Sequence, residues 1–269
     1  MKYIRYAGGL IAVVTAFTFF ACNKSSNPVT PSAPVRTFSF VVGNSFVFDT
    51  WSLDTLTGAK IPSSMSIVHE SIKDSGLTID GVSGVYMAID SSFTTTDSLF
   101  LIDTIYYATT STSISSYGLV ASMMNSVSGL PFTIPRKWNK IADNGNGGTW
   151  IADTTSIGIS VPYNGTNIPV TIATNITGRD GGDSTLNISG SSLLGDHAVD
   201  SGSVNVTGTI IIPLTLGTMP LIFHVYTTYQ PTVIARIYAP PQKFTSSLYP
   251  ALDFSLSGTE RDLISWSGK

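Results

Sequence analysis

Three histidines, two loops rich in Asp, Asn and Gly, and a single cysteine are the residues of this 269-residue chain whose types could do chemistry. A zinc site would draw paired ligands at short spacing. His69, His197 and His224 stand far apart in the chain, and Cys22 has no second cysteine to join it. His224 alternates with Phe223 and Val225 in an apolar run, the pattern of a sheet histidine. His197 follows Asp196 in the loop Gly195–Asp196–His197, an acid–base dyad that could serve a serine nucleophile. The Gly-x-Ser-x-Gly turn that would strain such a serine into position is absent, which ranks hydrolysis last. The loops Asp143–Gly148 and Arg179–Asp183 offer carboxylates and carbonyls for Ca²⁺, but neither closes on the bidentate Glu of a calcium loop. The same residues build plain turns. Glycine-rich phosphate loops, dinucleotide fingerprints and haem motifs are missing, so the sequence calls for no cofactor and no metal.

The cysteine is the more telling residue. Lys2 and Arg5 precede an apolar run from Ala7 to Phe20, and Phe19–Phe20–Ala21–Cys22 closes it. A run of about 14 residues fits a signal h-region and falls short of the roughly 20 that a spanning helix needs. The segment resembles a bacterial lipoprotein signal peptide, with the two Phe departing from the usual aliphatic position. The resemblance implies a diacylglyceryl thioether on Cys22, cleavage before it, and acylation of the new amino terminus. Residues 1–21 are then a removed signal peptide. Cys22 is the lipid attachment site, residues 22–35 are an acylated tether, and residues 36–269 are one globular domain. Each buried methylene contributes about 0.8 kcal/mol to anchoring, so several acyl chains hold a protein to a membrane firmly. Asn23 is not the Asp that retains many such proteins at the inner membrane, and no acidic cluster follows it. The expected location is therefore the outer membrane, with the domain facing the periplasm. Pro28, Pro31 and Pro34 keep the tether extended, with a reach of roughly 35–40 Å.

Composition narrows the functional classes. Net charge is −3, and Lys2 and Arg5 belong to the signal, so the remainder is more acidic still. A nucleic-acid binder would be basic, with a clustered patch. Charged residues are only 12%, half the share usual in globular proteins. One cysteine excludes an internal disulfide, so the fold rests on its core and its strand ladders. The sequons at Asn164, Asn175, Asn187 and Asn205 are incidental in a bacterial chain. Asp97–Ser98–Leu99 and Asp103–Thr104–Ile105 resemble short O-glycosylation triplets.

The elements that must position these residues are strands. From Arg36 onward apolar residues recur with period two, which gives each strand one apolar face. The pattern predicts strands at 37–42, 45–49, 66–71, 85–89, 99–107, 148–151, 157–161, 168–176, 185–188, 204–212, 221–227, 233–238, 252–256 and 263–266. Turns are expected at Gly43–Asn44, Asp80–Gly81, Asn164–Gly165, Arg179–Gly182 and Gly217. Trp138–Asp143 and Trp150–Asp153 echo one another as strands that each begin with a tryptophan. Ser115–Val127 carries Leu119, Val120, Met123, Met124 and Val127 at helical spacing, which predicts either a short helix capped by Ser115 or Ser116 or, given Gly118 and the many Ser residues, a loop with a short strand. Strands such as Leu99–Tyr107 are apolar on both faces, which predicts either a sheet covered on both sides or a curved sheet around an unfilled interior.

Gly43–Asn44–Ser45–Phe46–Val47–Phe48, then Asp54–Thr55 and Thr57–Gly58, is similar to the opening of a diffuse group of uncharacterised bacterial lipoproteins. Trp150 and Leu263–Trp266 match their mid-chain tryptophan strand and their late strand. The resemblance implies a strongly curved antiparallel sheet, an open barrel like those of lipoprotein carriers, and no activity. The fold expected is therefore mainly β, a single curved antiparallel sheet with at most one or two short helices, with a β-sandwich as the alternative. The partners expected are a membrane through the acyl chains, and a hydrophobic ligand or an envelope protein.

Overall fold

The computed structural model describes residues 38–119, 121–122, 134–143, 148–163, 166–208, 214–216, 221–227, 232–244 and 254–268. Cys22, the tether, Asn164–Gly165, Gly217 and the middle of the Asp143–Gly148 loop lie outside these residues.

The strands are β1 (Ser45–Leu53), β2 (Ser66–Ile79), β3 (Val82–Thr94), β4 (Leu99–Thr109) and β5 (Ser113–Tyr117). Then follow β6 (Trp138–Asp143), β7 (Thr149–Tyr163), β8 (Thr166–Ile188), β9 (Ser191–Gly208) and β10 (Leu214–Leu216). The last are β11 (Leu221–Thr227), β12 (Thr232–Ala239), β13 (Gln242–Phe244), β14 (Phe254–Leu256) and β15 (Gly258–Ser267), and one 3-10 turn spans Pro62–Ser64. The main sheet runs β6-β5-β4-β3-β2-β1-β15-β12-β11-β9-β8-β7, with β10 beside β9, while β13 and β14 pair separately. Its pairs are antiparallel. The antiparallel sheet curls through 275° as a half-barrel, so the curved sheet is the architecture and the sandwich is not.

Alternation explains the curl's interior. Phe46 and Phe48 of β1, Val68 and Ile72 of β2, and Ala88 of β3 are buried on one face. Burying a side chain the size of Phe46 contributes about 1.5–3 kcal/mol. The late strand closes on the opening one, with Phe46 opposite Trp266 and Phe48 opposite Leu263. Asp80 and Gly81 take left-handed φ of 48° and 78°, the tight turn expected between β2 and β3. Asp54 accepts from the backbone of Leu56 and Thr57 and fixes the turn after β1.

Four expectations need correction. Residues 38–41 form no strand. Phe38 and Phe40 are buried, and Phe40 stacks on Tyr107 at 4.8 Å, so this apolar alternation fills the barrel rather than extending its sheet. Arg179–Gly182 does not turn the chain. It is a bulge between Asp180 and Asp183 inside the continuous strand β8. Ser115 and Ser116 cap nothing, because they lie in β5. Helical backbone begins after Gly118, whose carbonyl accepts from the Ser122 amide at 2.8 Å. Gly195–Asp196–His197 is strand β9, not a loop. In addition, the predicted strands at 148–151 and 157–161 merge in β7, and those at 168–176 and 185–188 merge in β8.

Candidate functional site

Inside the curl, β2 and β3 place Glu70 directly opposite Asp90. Two facing carboxylates repel, and both are buried. The fold meets this with Arg261, which β15 presents to the same face. Its Nη1 donates to Asp90 at 2.7 Å and its Nη2 to Glu70 at 3.0 Å. The guanidinium lies 3.8 Å over the Phe48 ring, and Tyr107 of β4 donates its hydroxyl to Glu70 at 3.1 Å. One cation thus serves two carboxylates. Burial, together with the nearby Asp90 charge, pushes the Glu70 carboxyl up to about 7 against the pull of Arg261. Burial and the Glu70 charge raise the Tyr107 phenol well above its ordinary value. Burial works against the Arg261 charge, but Asp90 and Glu70 outweigh it and hold the guanidinium protonated.

Tyr107 and Arg261 form one side of a cavity of about 140 Å³. Ile105, Leu119, Ile141, Ile234 and Ile237 supply its apolar walls, and Asp103, Ser122 and Arg136, all exposed, line its open side. β4, β6, β12 and β15 converge here because their inward faces alternate in register, with Ile237 opposite Arg261. Gly118 lets Arg136 take its place. A Cβ on this residue, whose φ is +84°, would meet Arg136 Cγ at 2.8 Å. Arg261 Nε finds no hydrogen-bond partner among the described residues, which leaves one buried donor beside the cavity.

A second polar row crosses the other half of the sheet. Trp150, Gly178 and Asp200 stand opposite one another on β7, β8 and β9. Asp200 is 2% exposed, and burial pushes its carboxyl up to about 8, with the Trp150 indole N–H holding it down in part. His197 lines a small crevice with Phe38, Ala142, Asp143, Trp150, Asp180 and Ala198, where β6 meets β7–β9. Burial, then the Arg179 charge, lowers its imidazole. Among the described residues that line it, the crevice joins a histidine to two acids. His197 and His224 are register partners on β9 and β11, a proximity that sequence spacing hides. His69 is exposed on β2, edge-on to Phe93 at 5.1 Å. Among the described residues no three His, Cys, Asp or Glu side chains are grouped as metal ligands. Of the two Asp-rich loops, Asp143 pairs with Lys140 at 2.6 Å and Asp180 accepts from the Gly182 amide.

The outer face of β15 carries the opposite device. Glu260 and Asp262 pair with Lys60 at 3.3 and 3.0 Å, and Glu260 pairs with Arg236 at 3.0 Å. Burial acts to raise Asp262, but its hydrogen bonds to Arg236 and Lys60 win and lower it. This is a paired surface network, and the unfilled space lies inside.

No family model matches the chain, and no curated protein is similar to it. Among solved structures, it is similar to a protein of Parabacteroides distasonis ATCC 8503, described as a candidate lipoprotein. Sequence identity is 10% and the TM-score 0.46, over 86% of this chain and 99% of that one. A likeness at that level carries no argument about function.

Proposed function

We propose that this chain is a membrane-tethered bacterial lipoprotein of the outer envelope, facing the periplasm, whose half-barrel binds a small apolar ligand and performs no catalysis. The cavity between Ile105, Ile141, Ile234 and Ile237 carries this reading. Its size sets the ligand. An apolar cavity of about 150 Å³ admits a benzene-sized molecule, whereas pockets for larger ligands run from about 300 Å³ upward. A whole two-chain lipid does not fit, so the occupant is a single ring, a short alkyl chain, or the end of a longer molecule that leaves through the open side. Its polar character follows from charge. Arg261 is spent on Glu70 and Asp90, so the cluster offers an anion little attraction. The remaining Arg261 N–H is buried beneath the cavity surface, so the apolar walls hold the ligand and a neutral one is favoured.

The anchor rests on Cys22 and the segment before it. The experiment has two arms. Residues Val35–Lys269 form one compact unit, and this domain is titrated with benzene and with cyclohexanone. Saturable binding of either supports the site, and binding of neither overturns it. Separately, the full chain is fractionated beside Cys22→Ser. Loss of the variant from the membrane fraction supports the acyl anchor, and equal retention refutes it.

A further inference from the structure

We propose that Ser98 is an O-glycosylation site whose glycan covers the apolar stretch beginning at the next residue. Asp97–Ser98–Leu99 and Asp103–Thr104–Ile105 share the form acid, hydroxyl, aliphatic, and Asp54–Thr55–Leu56 is a third such triplet. The fold separates the three. Thr104 is half-buried within β4, where its register partner is Ile89, and it lines the cavity. A sugar there would crowd that space. Thr55 is exposed in the turn after β1, but the carboxylate beside it is taken: Asp54 accepts from the Thr57 hydroxyl and from the amides of Leu56 and Thr57. Ser98 is exposed in the turn between β3 and β4. Its amide donates to Thr94 Oγ1 at 3.2 Å and its carbonyl accepts from the Thr94 amide at 3.0 Å, so its backbone is held. Neither its hydroxyl nor the Asp97 carboxylate has a hydrogen-bond partner among the described residues. Of the three, this triplet alone presents both its acid and its hydroxyl to an incoming enzyme.

The residues after Ser98 need a cover. Leu99, Phe100, Leu101 and Ile102 are 51, 57, 53 and 60% exposed. Phe100 is a bulge, because Leu99 pairs with Phe93 and Leu101 with Ser92. Neither face of this segment is covered, which corrects the expectation of a sheet buried on both sides here. β5 pairs with β4 only from Tyr107 to Thr109. Exposed edges are ordinarily blunted by lysine, proline or brevity, and residues 98–102 hold no charge and no proline. Only 12% of the chain is charged, so charge supplies little of its solubility. A glycan is bulky and solubilising, and one carried on Ser98 starts a single residue from the patch. A phosphoryl group on the same hydroxyl would stand against the Asp97 carboxylate, a repulsion that a neutral sugar does not meet. Transfer forms a bond between Ser98 Oγ and the anomeric carbon of a phosphate-activated sugar. The bond from that carbon to the phosphate oxygen breaks and its electron pair leaves with the phosphate. The hydroxyl proton passes to a base of the transferase.

The test is mass spectrometry of the full chain purified from its own host. Peptides spanning Thr94–Tyr107 are expected to carry a carbohydrate increment that fragmentation places on Ser98. Alkaline β-elimination should remove it and leave dehydroalanine, and sugar oxonium ions in the same spectra distinguish it from a phosphoryl group. Ser98→Ala and Asp97→Asn should both lose the increment, and Thr104→Ala should keep it. In titration with an apolar dye, Ser98→Ala should bind more dye than the parent while its far-ultraviolet spectrum holds. Adding Leu101→Ser to Ser98→Ala should reverse that gain. An unmodified Ser98 in the host protein, or carbohydrate on Thr55 or Thr104 in its place, would overturn the site. Equal dye binding by the parent and Ser98→Ala would overturn the covering of the patch.

Discussion

Arg261 and Glu70 are 191 residues apart in the chain and 3.0 Å apart in space. The contact crosses β1, which lies between β15 and β2 in the sheet, and it exists because all three strands turn the same face inward. Removing the cation leaves Glu70 and Asp90 buried together. Arg261→Leu is expected to lose about 3–5 kcal/mol of stability, the cost of an uncompensated buried charge. Glu70→Gln keeps acceptors for Tyr107 and Arg261 and should lose only about 0.5–1.5 kcal/mol. Denaturant titration of both variants checks this, and equal losses would count against the network.

The same burial sets a pH dependence. Glu70 and Asp200 titrate at about 7 and about 8 in the fold, against ordinary carboxyl values near 4 when unfolded. Between these values the folded chain holds protons that the unfolded chain has released, so stability is full near pH 4 and falls as pH rises to 8. Each group contributes at most about 1.4 kcal/mol per pH unit. His197 opposes this. Its lowered value makes its contribution grow as pH rises through about 6.5. The carboxyls prevail, being two groups with larger shifts. The melting temperature is expected to fall from pH 5 to pH 8.5, and Asp200→Asn should flatten the fall. A fall of unchanged steepness in Asp200→Asn would refute the assignment.

Gly178 is the narrow point of the row from Trp150 to Asp200. A Cβ there would stand 1.9 Å from Trp150 Cε2 and 2.2 Å from Asp200 Oδ1. The indole must therefore move to admit even one methyl group. Gly178→Ala should lose about 1–3 kcal/mol, as overpacked cores do, and should red-shift tryptophan emission. An unshifted spectrum with native stability would show that the indole does not lie over Gly178.

Much of the architecture was legible because period two is a local signal. The strand pattern at Phe46–Phe48 and the Asp80–Gly81 turn each depend on residues within reach of one another. Phe38 and Phe40 share that pattern yet form no strand, since alternation records burial of one face and does not say whether a neighbour pairs. Arg179–Gly182 looked like a turn because Gly and Asp favour turns and bulges alike. The candidate site was the least legible part. Glu70, Asp90, Tyr107 and Arg261 come from four strands, and only the register brings them together. A lone acid or base in an alternating strand is the one signal that could have marked them. His197 and His224 were visible as types, and their pairing across β9 and β11 was not.

The cavity gives the last prediction. Ile237 of β12 lines it opposite Arg261 and is only partly buried, so it borders the empty volume rather than the packed core. Ile237→Trp places an indole in a space of about 140 Å³, which has room for roughly one ring. Binding of benzene and cyclohexanone should then be lost while stability stays within about 1–3 kcal/mol of the parent. Ile237→Ala should do the reverse, enlarging the space and admitting bulkier ketones at the cost of lost burial, about 2–5 kcal/mol at most. Calorimetric titration of the two variants separates a site from nonspecific partitioning. A site answers to the volume at Ile237 in opposite directions, and partitioning onto exposed surface such as Leu99–Ile102 answers to neither.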